Sequence, residues 1–429
     1  MCASWSQRTA TAYLVCAVML PMTLLSTSLP AASVNRPIEG SSTSTWGDFN
    51  RGIWMPQPGR RAGFSHAALS QSGRYVAFAS TDSEIVRRDS TRFADVFLRD
   101  RHEGTTRLIS RSDTGVQGNA DSWEPQISPD GRFVAFPSAA DNLAVSDTQS
   151  TFDDIFLRDT EEGVTVLVTN FPSDQTLTET PELTDVSSHG RKVVFDYQDH
   201  VYVWSRSTGL ASPIAHQTLT PSIAESGGRI TPDGQWIAYC SVVNERGRTL
   251  SYLQDLTTGA TEIASISTTG RIGNGNNCFP GPLVSDTGRF VVFQSSATNL
   301  TPHPGDGESI FIRDRREETT TRVPYRGTTI YDLALSPSGT YLVYETRNGF
   351  YTVGGEDVEI IDIGITNRIT GRTRLVSVTS AGRPSRSSYS PEVSRHARVI
   401  SFTSLDARDD MIRGAPSHTG IFVRINKPR

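Results

Sequence analysis

Seven residues of this 429-residue chain have the side-chain types that acid–base chemistry and ligand recognition need: His66, Asp121, Trp123, Glu124, Tyr331, Asp332 and Tyr389. Carboxylates that face each other across an apolar-rimmed funnel can divide general-acid and general-base work on a glycan. Glu124 and Asp332 would take those roles, with His66 as a proton shuttle. Trp and Tyr rings stack on sugar faces or on peptide side chains. The plainer role of the same residues is to hydrogen-bond central waters and pack neighbouring repeats. We read them as a ligand-binding rim and assign no catalytic residue.

Other constellations carry less. Of eight histidines only His66 falls on an inner strand, so no histidine cluster for a metal is expected. The runs Asn142-Leu143 to Asp154, Asn299-Leu300 to Asp306 and Asp89 to Asp95 offer oxygen ligands near turns. They lack the dense Asp-x-Asp-x-Asp-Gly of a calcium loop and read as Asx turns. Arg99-Asp100, Arg158-Asp159 and Arg313-Asp314 read as strand-end pairs tying neighbouring turns. No Gly-x-Ser-x-Gly elbow or phosphate-binding loop occurs, and no motif calls for a cofactor.

These residues sit in a repeat. A Ser/Thr-x-x-Gly turn is followed by a short strand ending in an aromatic, as in Ser128-Pro129-Asp130-Gly131 before Phe133-Val134-Ala135-Phe136. Copies start at 70, 128, 187, 231, 285, 336 and 394, so the units are 44 to 59 residues long; the last copy has Ala397 in place of Gly. Pro presets φ, Asp bonds its own backbone and Gly takes a positive φ, which makes a hairpin turn. Third strands follow, such as residues 95–100, 154–159, 309–314 and 358–362, then a fourth such as residues 105–109. Four antiparallel strands per unit, repeated seven times, predict an all-β chain folded as a seven-bladed β-propeller. Aligning the copies places the seven candidate residues where the chain enters the innermost strands.

Residues 125–136 (Pro-x-Ile-Ser-Pro-Asp-Gly-Arg-Phe-Val-Ala-Phe) and the Asp-Ile-Phe-Leu-Arg-Asp type of third strand resemble the TolB-type, WD40-like (PD40) repeat family. The resemblance spans roughly residues 60–425 and concerns the propeller part only, since there is no room for TolB's α/β domain. It implies the fold. For function it implies a range, because such repeats occur in exported binding proteins, in accessory propellers of peptidases and in some polysaccharide lyases.

The rest bounds the setting. Arg8, an apolar stretch from Ala10 to Leu29 and the small residues Ala31-Ala32-Ser33 read as a signal peptide over residues 1–33. Pro21 argues against a retained membrane anchor, and Val15 before Cys16 argues against a lipid-attachment signal. Cleavage would leave no membrane span and a secreted or periplasmic protein. Cys240 and Cys278 would remain, at adjacent places on one rim, and read as a disulfide. With 41 Lys and Arg against 46 Asp and Glu, a net charge of −5, a nucleic-acid partner has no electrostatic support. The seventh unit ends without a fourth strand. A strand from the segment at residues 34–64, between Ser42 and Trp54, is expected to close the last blade, with residues 65–429 forming the propeller. The expected role is a non-enzymatic binding or scaffold module for a protein, peptide or envelope glycan at the axial rim. The rival is a glycan-cleaving lyase or hydrolase using the rim carboxylates.

Overall fold

The computed structural model describes residues 51–54, 67–83, 85–87, 89–145, 152–172, 177–214, 224–243, 248–276, 281–303, 307–353, 356–378, 384–385, 387–404 and 420–425. The signal segment, His66 and Cys278 lie outside the described residues.

The strands form seven four-stranded antiparallel sheets, the blades of a β-propeller. Blade 1 comprises Ala68–Leu69, Tyr75–Ser80, Asp95–Asp100 and Thr105–Leu108, in that order from the axis outward. The inner strands of blades 2 to 7 are Gln126–Ile127, Glu182–Val186, Ala224–Ile230, Leu283–Val284, Thr329–Leu335 and Ser388–Val393. In blade 7 the outer position beside Gly420–Ile425 is taken by Arg51–Trp54, paired antiparallel. The one helical piece among the described residues is a turn of 3-10 helix at Ser188–Gly190.

The repeat motif explains the blade. In all seven copies the Ser or Thr hydroxyl accepts the backbone N–H five residues on, as Ser70 Oγ does from Tyr75 at 3.0 Å and Ser128 Oγ from Phe133 at 2.9 Å. That bond closes the turn and gives the turn hydroxyl a partner. The next position joins blades. Gln71 N donates to Pro129 O, Ser188 N to Pro232 O, Asp286 N to Pro337 O and Arg395 N to Gln71 O, at 2.8–3.0 Å. Pro129, Pro232 and Pro337 have no N–H to pass on, so seams with and without this backbone bond alternate from blade 1 to blade 7, and blade 7 makes it to blade 1.

The turn glycine is needed twice over. Gly131 has φ +82°, and a Cβ there would lie 2.4 Å from Tyr75 Cδ2 on the preceding blade. In blade 7, Ala397 accepts φ 51° and is fully buried. Away from the axis, the aromatic that ends the second strand meets an aromatic on the third: Phe78–Phe97, Phe136–Phe156, Phe195–Tyr202, Tyr239–Tyr252, Phe293–Phe311 and Phe402–Phe422, with centroids 5.5–6.1 Å apart. Blade 6 departs from this. Tyr344 faces Gly364, where any Cβ would come within 2.4 Å of its ring, and Tyr325 packs edge-on instead.

Two polar readings change in detail. Asp100, Asp159 and Asp314 pair with the arginine after the turn glycine of their own blade, Arg74, Arg132 and Arg289, through two nitrogens each at 2.6–3.0 Å. The adjacent Arg158 is buried and donates to the carbonyls of Arg111 and Ser112. The Asn-Leu loops are clamps. Asn142 Oδ1 accepts Asn119 N at 3.1 Å and its amide donates to Gln117 O at 3.0 Å; Asn299 does the same to Asn274 N at 2.9 Å and Ile272 O at 2.9 Å. Leu143 and Leu300 fill the space beneath, buried to 1% exposure. These two asparagines bond residues 23 to 27 positions away and are not Asx turns; the local Asx bond is made at Asp89, whose Oδ1 accepts Thr91 N at 3.2 Å.

The third strand of blade 6 is longer than the sequence pattern predicts, running Glu356–Asn367 rather than 358–362. Its partner, Tyr341–Val353, has 13 residues, whereas second strands elsewhere have 6 or 7.

Candidate functional site: the axial channel and its loop-side rim

Seven inner strands converge on a channel. All run from the face carrying the interblade connections, the loop face, to the face carrying the Ser-x-x-Gly turns. A cavity of about 160 Å³ lies on the axis and is lined from every blade. The residue two before each Ser or Thr is among those lining it: Ala68, Gln126, Asp185, Arg229, Leu283, Ala334 and Glu392. Three of these are charged. Asp185 Oδ1 accepts Val186 N at 2.7 Å and Oδ2 accepts Ile230 N on the next blade at 2.9 Å. Burial pushes its carboxyl up to about 6; Arg229 opposes the shift and Glu392 adds to it. Arg229 in turn donates to Thr184 O.

The turn-side mouth is bridged. Gln71 Nε2 donates to both oxygens of Asp286, and Arg395 reaches the same carboxylate at 3.3 Å. Burial raises the Asp286 carboxyl, against the pull of Arg395 and Gln71. The bridge ties blades 1, 5 and 7 across the axis.

The candidates chosen from sequence stand on the other side, where the chain enters the inner strands of blades 2, 6 and 7. None of the six described ones lines the cavity. Asp121 Oδ1 accepts Ala94 N at 2.8 Å and so ties blade 2 to blade 1. Trp123 is half-buried against the cluster of Ala68, Val134 and Leu143. Glu124 is exposed, in the left-handed region at φ 39°. Tyr331 donates through its hydroxyl to Glu359 Oε2 at 2.9 Å, and Asp332 Oδ1 accepts Leu333 N at 2.7 Å. Tyr389 is half-buried, next to Ser390 at φ 52°.

Sequence comparison missed the seam carboxylates on the same side. Asp196 Oδ2 accepts Gly227 N at 2.7 Å, and Glu345 Oε2 accepts Ser390 N at 2.9 Å. Each serves the N–H of a residue bulged out of the next blade's inner strand. Burial pushes Asp196 up to about 7. The two sit at one repeat position, after the second-strand aromatic, which is the signal that could have found them. Cys240 is disulfide-bonded; Cys278 lies outside the described residues. Among the described residues no group of three or more His, Cys, Asp or Glu stands together as a metal site.

Solved structures share this fold. An oligogalacturonate lyase in complex with manganese aligns with a TM-score of 0.53 at 11% identity, covering 89% of this chain and 96% of that one. The oligogalacturonate lyase from Vibrio parahaemolyticus gives 0.51 at 12%, covering 85% and 90%. TolB from Acinetobacter baumannii gives 0.40 at 13%, covering 82% and 81%. At such identities the likeness to the two lyases is one of fold. No protein-family model matches the chain, and no curated protein does. No helix among the described residues is long and apolar enough to cross a membrane.

Proposed function

We propose that the protein is an exported, non-enzymatic binding module that takes a protein, peptide or envelope glycan on the loop-side rim of its channel. The supporting observation is a division among carboxylates. Asp121, Asp185, Asp196, Asp332 and Glu345 accept backbone N–H groups and so serve the seams between blades or the inner strands themselves. Glu124 is exposed and Trp123, Tyr331 and Tyr389 are half-exposed on that rim, and we take them as the side chains that meet a ligand. Aromatic and acidic side chains on a rigid scaffold suit recognition, and the 160 Å³ cavity is small for a sugar chain. The same reading takes Cys240 and Cys278 as the bridged pair.

The test is a screen of glycan and peptide arrays with the parent chain and Tyr389→Ala, alongside turnover assays that include oligogalacturonate. Binding that weakens in Tyr389→Ala, with no turnover of any bound glycan, is the expected result. The rival glycan-cleaving reading draws on the fold shared with the two lyases and requires turnover that Glu124→Gln abolishes.

A further inference from the structure

Two Asn-Gly dipeptides occur in the sequence, Asn274-Gly275 and Asn348-Gly349. Asn-Gly is prone to lose its side-chain amide, because glycine, lacking Cβ, leaves its backbone nitrogen open to approach the asparagine Cγ. The fold treats the two dipeptides differently.

Asn274 is locked against blade 5. Its Oδ1 accepts Thr298 N at 2.8 Å, its Nδ2 donates to Thr298 Oγ1 at 3.0 Å, and its own N donates to Asn299 Oδ1 at 2.9 Å. Gly275 is packed so closely on the chain that a Cβ there would lie 2.3 Å from Ala297 N. The carboxamide and the glycine nitrogen cannot turn toward each other without breaking these contacts.

Asn348-Gly349 lies where blade 6 becomes a ribbon of two strands. The inner strand pairs with Tyr341–Val353 only as far as Thr329 opposite Arg347, and the outer strand reaches only Leu375 opposite Gly364. Pairing with Glu356–Asn367 breaks after Arg347–Ile361 and resumes at Phe350–Glu359, so residues 348 and 349 form a bulge outside the ladder. Asn348 is exposed, and its Nδ2 donates to Asp362 Oδ2 at 3.0 Å, which holds the carboxamide by one end. Gly349 has φ +134°, and a Cβ there would meet nothing nearer than Ile360 Cδ1 at 3.9 Å. The space that ring closure needs is present, and the site is open to solvent.

We propose that Asn348 is a site of spontaneous modification, deamidating through a succinimide in the folded protein while Asn274 is protected. The backbone nitrogen of Gly349 gives up its proton and attacks Cγ of Asn348. A C–N bond forms, the Cγ–Nδ2 bond breaks, and Nδ2 leaves with that proton as ammonia. Water then opens the imide at either carbonyl, giving aspartate or isoaspartate and one new negative charge.

The product inverts the contact it replaces. Asp362 is buried at 0% exposure; burial raises its carboxyl, while the bonds from Asn348 and Ser377 lower it. A carboxylate at position 348 sets a like charge against it where a donor stood. Isoaspartate also adds a carbon to the backbone within the bulge. Either product loosens the ribbon from blade 6 and leaves the Arg347–Glu359 ion pair, at 3.0 Å, to hold its base.

The test incubates the full chain at pH 9 and 37 °C, in buffer and in urea, and follows both asparagines by peptide-mapping mass spectrometry. In buffer Asn348 should convert at least about tenfold faster than Asn274, because attack needs a nitrogen free to reach Cγ. In urea the two rates should converge. Equal rates in buffer, or an Asn348 that stays intact in buffer while urea converts it, overturns the proposal. The same preference in urea would place its cause in the local sequence and overturns it too. Asn348→Asp, standing in for the product, should speed amide exchange at residues 343–347 and 361–365 and lower the melting temperature more at pH 8 than at pH 4. Exchange and melting like the parent's at both pH values would remove the loosening. If that variant does not fold, exchange measured on the aged parent decides the same point.

Discussion

Gln71 on blade 1 donates from its amide nitrogen across the channel to both carboxylate oxygens of Asp286 on blade 5, at 2.7 and 2.8 Å. Residues 215 apart in sequence thus span the mouth that the seven turns surround. A ring held together only by neighbour-to-neighbour contacts would not need this link.

Gln71→Ala should cost about 1–2 kcal/mol in urea unfolding, the scale of a hydrogen bond to a charged acceptor. Gln71→Glu should cost more at pH 8 than at pH 4, because it faces Asp286 with a like charge that acid removes. Equal losses at both pH values would show that the two side chains do not meet.

Gly131→Ala should destabilise by about 2–3 kcal/mol, since φ +82° and the ring of Tyr75 both exclude a Cβ. The reverse change in blade 7, Ala397→Gly, should fall within about 1 kcal/mol of the parent. Similar losses for the two would remove the steric account of the turn glycine.

Stability should peak in mild acid. Asp95, Asp185 and Asp196 are raised by burial to about 6, 6 and 7. The folded protein therefore holds their protons more tightly than the unfolded chain. Their contribution is full below pH 4 and is lost as pH rises through 6 to 7. Asp100, held down to about 2 by Arg74, and Asp314, lowered by Arg289, act oppositely and weaken the fold as pH falls below 4. Melting temperature measured from pH 3 to 8 should pass through a maximum near pH 4–5. Asp196→Asn should flatten the alkaline limb; an unchanged limb would assign it to other groups.

Deleting residues 34–56 removes Arg51–Trp54 from the edge of blade 7. We expect a marked drop in melting temperature, because the seventh sheet is left with three strands and an open edge. An unchanged melting temperature would mean that this strand contributes nothing to closing the ring, which the Arg395–Gln71 backbone bond between blades 7 and 1 would then hold.

The blades were legible because each Ser/Thr-x-x-Gly turn encodes its own geometry: hydroxyl acceptor, preset φ, missing Cβ. The channel lining was not. An alignment centred on the residue four before the turn, where the chain enters the inner strand, selects Glu124 and Asp332. The charged residues lining the cavity, Asp185, Arg229 and Glu392, come two residues later. The blade 6 ribbon was hidden for a different reason. Asn348-Gly349 reads as a tight turn, yet it is a bulge, with Gly349 at φ 134° and strand pairing resuming at Phe350.

The central claim, recognition without catalysis on the loop-side rim, is tested most directly by measuring binding and turnover together for the parent chain and Glu124→Gln. The account predicts a ligand that binds both without being consumed, more weakly to the variant. A glycan cleaved by the parent and left intact by Glu124→Gln would contradict it.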